Sequence, residues 1–336
     1  MRVALVATSY PHAEGDPSGH FVRAEAHALE AQGHEVHIVA PSPVREANVV
    51  AHPAGGSSLF SWPGAAARAR RNPLLLAGAA SFYRGSVAAL DSIQPQRVIA
   101  HWMVPSAWPI VSATRTRCEV EIVCHGADVR LLLTLPRELR AHIVRSLLAR
   151  GAHTRFVASS LRDDLLSGLD NTLAAQLERA SVVAPPFVSV SPRSAPNHDG
   201  HPFVLTAARL IPSKRVDLAI DAVVRSDSIR LMVVGDGPER ARLERAADRV
   251  SGGRVRFLGA LSRPETLGWI AAASALVHLS EVDNAPTVVL EARALDTRVI
   301  AADVGAVSDW AKQDSGIVVV PRVATAVSAA SQSALL

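Results

Sequence analysis

Short apolar runs alternate with longer stretches of helical spacing along the 336 residues. The run Arg2–Ala7 (RVALVA) is followed by the polar loop SYPHAEGDPSG. Phe21, Val22, Ala24, Ala28 and Leu29 then recur at helical spacing and predict a helix over residues 20–32. Gly33 is placed to end that helix, and Val36–Ala40 (VHIVA), closed by Pro41, reads as a second strand. Strand, helix and strand in this order make a βαβ unit, whose two strands run parallel. Further apolar runs at 97–100, 121–124, 154–158 and 181–183 continue the series.

From 185 to 202 the pattern breaks. PPFVSVSPRSAPNHDGHP is rich in Pro, Ser and polar residues and reads as a linker. The alternation then restarts, with strands expected at 203–207, 230–234, 255–258, 276–279, 298–301 and 317–320. Helices are expected between them at 216–224, 239–247, 264–273 and 287–295. The fold class expected is therefore α/β: two Rossmann-like, doubly wound parallel-sheet domains, 1–184 and 203–336, with their strand C-termini facing a central cleft.

Composition narrows the functions open to such a chain. Hydrophobic residues make up 49% and charged residues 20%, which excludes a mainly disordered protein. No apolar stretch reaches the roughly 18–20 residues of a membrane span, and the first apolar run is too short for a signal peptide. Cys118 and Cys124 lie six apart in the strand-like run CEVEIVC, on one face and about 20 Å apart, too far for a disulfide. A reduced, cytoplasmic chain is expected. The net charge of +4 is carried by arginine, since Lys214 and Lys312 are the only lysines. Aromatics are 4% and do not interleave with basic runs, which argues against nucleic acid as a partner.

Several strand-to-helix loops hold candidate chemistry. Ser18-Gly19 precedes the first helix, where a glycine lets backbone N–H groups approach a phosphate and where a plain turn is equally served. His125, in Cys124-His125-Gly126-Ala127-Asp128, stands at a strand C-terminus and could meet a substrate hydroxyl or a backbone carbonyl. Arg209 and Lys214 are five apart across a short loop, so the two cations could converge on one diphosphate or remain a solvated pair. Val234-Gly235-Asp236-Gly237-Pro238-Glu239 lacks the last glycine of a dinucleotide fingerprint but suits a turn bordering a nucleotide. Ser280–Ala292 is the densest segment. A strand ends near Leu279, Pro286 fits a first helical position, and N–H groups around 284–288 are placed to meet an anion. Glu291, one turn into that helix, could accept bonds from a ribose diol or simply be a solvated helix residue.

Taken together in chain order, SGHFVR (18–23), HGADV (125–129), ARLIPSK (208–214), VGDGPER (234–240) and DNAPTVVLE (283–291) resemble the motifs of the retaining family 4 glycosyltransferases of GT-B fold. The resemblance runs from residue 1 to about residue 320. It implies metal-independent transfer of a sugar, with retention, from a nucleotide-diphosphate sugar to an acceptor hydroxyl on a glycan, glycolipid or small molecule, with no cofactor. By position, Gly19 would touch the donor diphosphate, and Arg209 and Lys214 would neutralise it as it leaves. Asp283 would contact sugar hydroxyls, and His125 would sit near the reacting carbon. Asn284, Ala285, Pro286 and Thr287 would meet sugar and phosphate through their backbone. Glu291 would hold the ribose, Gly235 would border the nucleotide, and Arg256 would lie beside the base. Glycoconjugate or polysaccharide biosynthesis in the cytoplasm is the expected setting.

Two departures define an alternative, a homologue that binds nucleotide or a partner without turnover. Asp283 stands where the family has a glutamate, and sixteen residues follow Val320 where the family continues further. A nucleotide-sugar epimerase would need an acid/base set that the sequence does not show. Residues 62–84 mix arginines, leucines and aromatics and fit either an interfacial helix making peripheral membrane contact or a domain-edge helix with a basic face, the second being preferred.

Overall fold

The computed structural model describes residues 1–11, 16, 18–44, 46, 48–60, 65–191, 200–250 and 252–335. The chain divides into two compact units, Met1–Phe187 and Val188–Leu336. The centre of the expected linker, 192–199, lies outside the described residues.

The first unit begins β1 (Arg2–Val6), α1 (His20–Ala31), β2 (Glu35–Ala40) and β3 (Val50–Pro53), followed by α2 (Ala65–Arg71) and α3 (Ala77–Ile93). Then come β4 (Arg97–His101), α4 (Ile110–Ala113), β5 (Glu119–Cys124), α5 (Ala127–Thr134), α6 (Arg137–Ala149) and β6 (His153–Phe156). The unit closes with α7 (Ser159–Ser167), α8 (Asn171–Arg179) and β7 (Ser181–Val183). Its sheet is parallel throughout, in the order β3-β2-β1-β4-β5-β6-β7. Val3–Ala7 are fully buried, as a strand covered on both faces requires. The expected first βαβ unit is β1, α1 and β2, and Gly33, at φ +81°, follows the end of α1 in the left-handed region where glycine carries no penalty.

The second unit repeats the plan. It runs β8 (Val204–Ala207), α9 (Val216–Val224), β9 (Leu231–Val234), α10 (Arg240–Val250), β10 (Val255–Gly259) and α11 (Arg263–Ala272). It continues β11 (Ala275–His278), α12 (Thr287–Ala294), β12 (Arg298–Ala302), α13 (Val307–Ala311), β13 (Ile317–Val320) and α14 (Ala324–Leu335). The sheet is again parallel, in the order β10-β9-β8-β11-β12-β13. Its two faces are covered by separate apolar clusters. One gathers Leu218, Val223, Leu231 and Val277 with Val327 of α14, and the other gathers Leu205, Trp269, Ile270 and Val299. Both units are thus doubly wound α/β domains, as the sequence pattern predicts.

Several features differ from expectation or were not foreseen, the helices α4–α8 and α13 among them. Residues 62–84 are not one helix. Residues 62–64 lie outside the described set, α2 ends at Arg71, and Asn72, whose side chain accepts from the Leu74 N–H at 3.1 Å, opens a short turn before α3. Leu74 and Leu76 in that turn are exposed. The edge strand β3 and the last helix, α14, also went unforeseen. No helix among the described residues is long and apolar enough to cross a membrane. Cys118 and Cys124 are free, as their spacing required.

Candidate functional site

In each sheet the chain winds outward in both directions from a central pair, so the loops leaving that pair diverge and open a crevice at the strand C-termini. In the second unit the pair is β8 and β11. The loop after β8 carries Arg209 and Lys214; the loop after β11 carries Ser280–Pro286 and leads into α12. The fold therefore brings together at one switch point the segments that the sequence singled out separately.

These loops are tied to each other. The Glu281 N–H donates to the Ser213 carbonyl at 2.8 Å, and Arg215 donates to Glu281 Oε1 at 2.7 Å. Lys214 Nζ donates to Asp283 Oδ2 at 2.7 Å, and His278 Nε2 stands 3.5 Å from the same oxygen. Burial pushes the Asp283 carboxyl up, but the nearby His278 ring and the charge of Lys214 outweigh it and hold the pKa at about 2. Lys214 and Asp283, expected on different parts of a donor, are here paired with each other. The pair is partly exposed, at 17% and 22% of side-chain area, so solvent reaches both groups. Arg209 is exposed on the same loop, directly before buried Leu210.

Glycines set how closely the loops pack. Gly235 follows β9 at φ +127°, and a Cβ there would lie 1.9 Å from the Ala208 carbonyl oxygen. Gly305, at φ +55°, presses in the same way on the Asn284 carbonyl, which also accepts the Ala306 N–H at 2.8 Å. Gly235 thus fixes the backbone just before Arg209, while Gly305-Ala306 supports Asp283-Asn284 from beneath.

Glu291 is not a solvated helix residue. It is 6% exposed and accepts from Arg263 of α11 at 2.7 Å. Asn284, Ala285 and Thr287 are half-buried and Pro286 is buried at the start of α12. Arg256 is not with the rest: it is exposed in the middle of the edge strand β10, two strands from β8.

The first unit has its own switch point, between β1 and β4. Gly19 caps α1 at φ +66°, and a Cβ on it would lie 2.2 Å from the Ser9 carbonyl oxygen, so the loop's own packing already demands glycine there. Part of the loop, residues 12–15 and 17, lies outside the described set. His125 follows β5, half-buried among Phe21, Trp102 and His101, with ring centroids at 4.5, 5.0 and 5.3 Å. Its Nε2 is 3.0 Å from Nδ1 of His101. Loss of hydration, with the Arg155 charge adding to it, pulls the His125 pKa down to about 3, so the ring is neutral at ordinary pH. Asp128 of HGADV does not face solvent. It is buried and accepts the N–H groups of Met103 and Gly126 at 2.8 and 2.9 Å, which locks the turn that presents His125.

The model of one family, described as glycosyl transferases group 1, matches residues 190–336. The match takes in nearly all of the second unit, Val188–Leu336. The Lys214–Asp283 pair, Glu291 and the glycine-packed loops all lie within the matched residues. Over 111 residues, 33% of its length, the chain is 37% identical to a GDP-mannose-dependent alpha-mannosyltransferase of Mycobacterium tuberculosis. That match spans 28% of the relative. Among solved structures, sucrose-phosphate synthase of Thermosynechococcus elongatus superposes with a TM-score of 0.70 at 18% identity, covering 99% of this chain and 89% of that one. HepE of Anabaena, solved in complex with UDP, superposes with a TM-score of 0.62 at 13% identity, covering 99% and 89%. At these identities the structural likeness speaks to the fold of the whole chain, including the unit that precedes the matched residues.

The sequence reading missed His278 and Arg263. His278 ends an all-buried strand, ALVH, and its position five residues before Asp283 was the available signal. Arg263 gave none, because its pairing with Glu291 depends on how α11 packs against α12.

Proposed function

We propose that the chain is a retaining glycosyltransferase that moves a sugar from a nucleotide-diphosphate sugar to an acceptor hydroxyl. One observation carries this reading: within the residues that the group 1 model matches, the Arg209–Lys214 loop and the 280–291 segment leave the two strands that flank the switch point. That is where an open parallel sheet offers a ligand its crevice. The mannosyltransferase relative, and the UDP held by HepE, make GDP- and UDP-sugars the donors to try first.

In this reading the acceptor oxygen attacks the anomeric carbon on the face from which the diphosphate departs. The bond from that carbon to the diphosphate oxygen breaks, the glycosidic bond forms, and the departing oxygen takes the acceptor proton. Arg209 and Lys214 stabilise the charge that develops on the diphosphate, without a metal. For Lys214 this means exchanging Asp283 for phosphate. Asp283, held ionised at about 2, is then an acceptor for donor-sugar hydroxyls. Glu291 grips the ribose, its carboxylate oriented by Arg263. The N–H groups at the start of α12, from Asn284 to Thr287, meet sugar and phosphate. Gly19 offers loop backbone to the diphosphate and His125 meets the sugar. Arg256, in mid-strand, keeps only a peripheral place near the base.

The test is a thermal-shift screen of GDP, UDP and their sugars, followed by transfer assays with and without chelator. A ligand that binds only the folded state raises its melting temperature. Stabilisation by a nucleoside diphosphate, lost in Lys214→Ala, and chelator-resistant transfer with retained anomeric configuration are expected. Binding without transfer or hydrolysis would instead establish the non-catalytic alternative. Full transfer by both Arg209→Ala and Lys214→Ala would overturn the diphosphate assignment.

A further inference from the structure

Behind His125, the first unit contains a run of ionisable groups, buried at Glu25, Arg155 and His101 and half-buried at Glu121 and Arg97, that the reading above does not use. Glu25 of α1 is 3% exposed. Its Oε1 accepts from Arg155 of β6, and Arg155 Nε donates in turn to Glu121 of β5 at 2.7 Å. Arg97 of β4 closes the run on the other oxygen of Glu121, at 2.5 Å. The second oxygen of Glu25 points the other way, to 3.7 Å from Nε2 of His101. That nitrogen is fully buried and has no hydrogen-bond partner, a condition that folded proteins rarely leave unrelieved. A shift of a few tenths of an ångström would close the gap. Across its ring, His101 Nδ1 lies 3.0 Å from Nε2 of His125, with the two rings within 14° of parallel.

We propose that Glu25 is a positioning residue which, through His101, sets the tautomer that His125 presents. A neutral imidazole carries one N–H, so of the two nitrogens facing each other at 3.0 Å one donates and the other accepts. An ionised Glu25 only accepts. It draws the His101 hydrogen to Nε2, leaves His101 Nδ1 as acceptor, and so places the His125 hydrogen on Nε2. The remaining nitrogen of His125, Nδ1, is then an acceptor. A protonated Glu25 donates to His101 Nε2 and reverses the chain. His101 carries its hydrogen on Nδ1, donates it to His125 Nε2, and His125 carries its own on Nδ1, which is now a donor. Between the two states the His101 Nε2 hydrogen passes to Glu25, the His125 Nε2 hydrogen passes to His101 Nδ1, and one solvent proton arrives at His125 Nδ1. The pathway gains one proton in all, and both rings stay neutral.

The electrostatics agree with the geometry. Burial raises the Glu25 carboxyl to about 7 against the opposing charges of Arg155 and Arg97, and Glu121 adds to the rise. His101, buried beside His125 and Arg155, is held well below the usual imidazole range. Near neutrality, then, the carboxyl gains and loses the proton while the rings do not charge. The importance of His125 to a sugar donor rests on the function proposed above; the tautomer relay does not.

The experiment is long-range proton–nitrogen NMR on the full chain labelled with 15N-histidine, from about pH 5.5 to about pH 8.5. The expected result is that Nδ1 of His125 crosses from the protonated to the bare nitrogen range as pH rises, with a midpoint near 7, and that neither ring becomes imidazolium. In Glu25→Gln, which cannot titrate, the crossing is lost; in Glu25→Asp it returns with a moved midpoint. Glu25→Asp also serves if the glutamine variant fails to fold. Tautomers that stay constant in the parent chain, a crossing that persists in Glu25→Gln, or rings that titrate to imidazolium across this range would each overturn the proposal. None of these readouts needs a donor. Failure of nucleotide binding or transfer would therefore sink the functional reading and leave this one standing. Where transfer is measured, Glu25→Gln flattens the corresponding limb of the kcat/KM profile while nucleoside diphosphate affinity is unchanged.

Discussion

The two units share a topology and each gathers a group of charged side chains on it, yet they keep those charges in opposite environments. In the first, Glu25, Arg155 and His101 are 4%, 7% and 1% exposed by side chain. In the second, Lys214, Asp283, Arg215 and Glu281 are 17%, 22%, 29% and 46% exposed. The consequences diverge in sign. Around Glu25 lost hydration outweighs two arginines and the carboxyl rises to about 7; around Asp283 a histidine and a lysine outweigh lost hydration and the carboxyl falls to about 2. A buried run of this kind stores protons and holds a geometry. A pair at the rim can let go of its partner and take up a ligand.

The sharpest way to break this contrast is to remove the central cation of each group. Arg155→Ala leaves Glu25 buried without its ion-pair partner, while Glu121 keeps Arg97, and should cost about 3–5 kcal/mol of unfolding free energy, measured in urea at about pH 8. At about pH 5, where Glu25 is protonated, the cost should shrink. Lys214→Ala should cost under about 1 kcal/mol in the same assay. Equal costs would mean that burial does not separate the two groups.

A second test uses the sign of linkage. The folded state binds the Glu25 proton more tightly than the unfolded chain, so between about 4.5 and about 7 the carboxyl is protonated in the one and ionised in the other. Stability from this group is present at low pH and lost as pH rises through that window, by roughly 3 kcal/mol. His101 and His125 act in the opposite sense. Neutral when folded, they take up protons on unfolding below about 6.5, so their contribution is lost as pH falls. Subtracting the stability of Glu25→Gln from that of the parent at each pH cancels the histidines and leaves the falling curve. Asp283 stays outside this window, since its stability is full above about 4 and is lost only as pH falls toward about 2. A difference curve that is flat from 4.5 to 7 would remove the proton store from the first unit.

The third test asks whether the rim pair is exchangeable. Lys214→Ala should weaken nucleoside diphosphate binding about 10- to 100-fold, the loss of one charge-assisted contact, as read by calorimetry. Asp283→Asn should leave that affinity equal or improved, because it frees Lys214, while removing transfer. If Asp283→Asn weakened the diphosphate as much as Lys214→Ala did, the two would act as one fixed unit.

How much of this could be read from the sequence follows the same division. The strands β1, β2, β8, β9 and β11 announce themselves as apolar runs, and the segments 209–214 and 280–291 follow β8 and β11, so both segments that the fold brings together were legible in the sequence. The buried run was not. Glu25 and Arg155 meet across 130 positions of sequence, and each looks locally like an ordinary charged residue of a helix or a strand. Only the sheet order, which sets β4, β5 and β6 side by side, brings Arg97, Glu121 and Arg155 together. The helix α14, ATAVSAASQSAL, escaped for a different reason: it lacks a clear polar face or charged ends, and its helical state follows from packing Val327 onto the core.

The smallest effect is expected at Arg215, and it is informative because two terms oppose. Arg215 donates to Asp217 and to Glu281, but all of these groups lie at the rim, where such pairs contribute about 0–1 kcal/mol each. Its backbone sits at φ +49°, in the left-handed region, which for a residue with a Cβ costs roughly 1–2 kcal/mol and for glycine almost nothing. Arg215→Gly removes the pairs and the strain together and adds the unfolded-state freedom of glycine, roughly 0.4–1 kcal/mol. The terms should nearly cancel, leaving a change within about 1 kcal/mol in thermal or urea unfolding. A loss well beyond that would mean that the tie between the β8 and β11 loops is held by this side chain. It would then not be held by the Ser213–Glu281 backbone bond and the Lys214–Asp283 pair, and the rim would be less free to rearrange than its exposure implies.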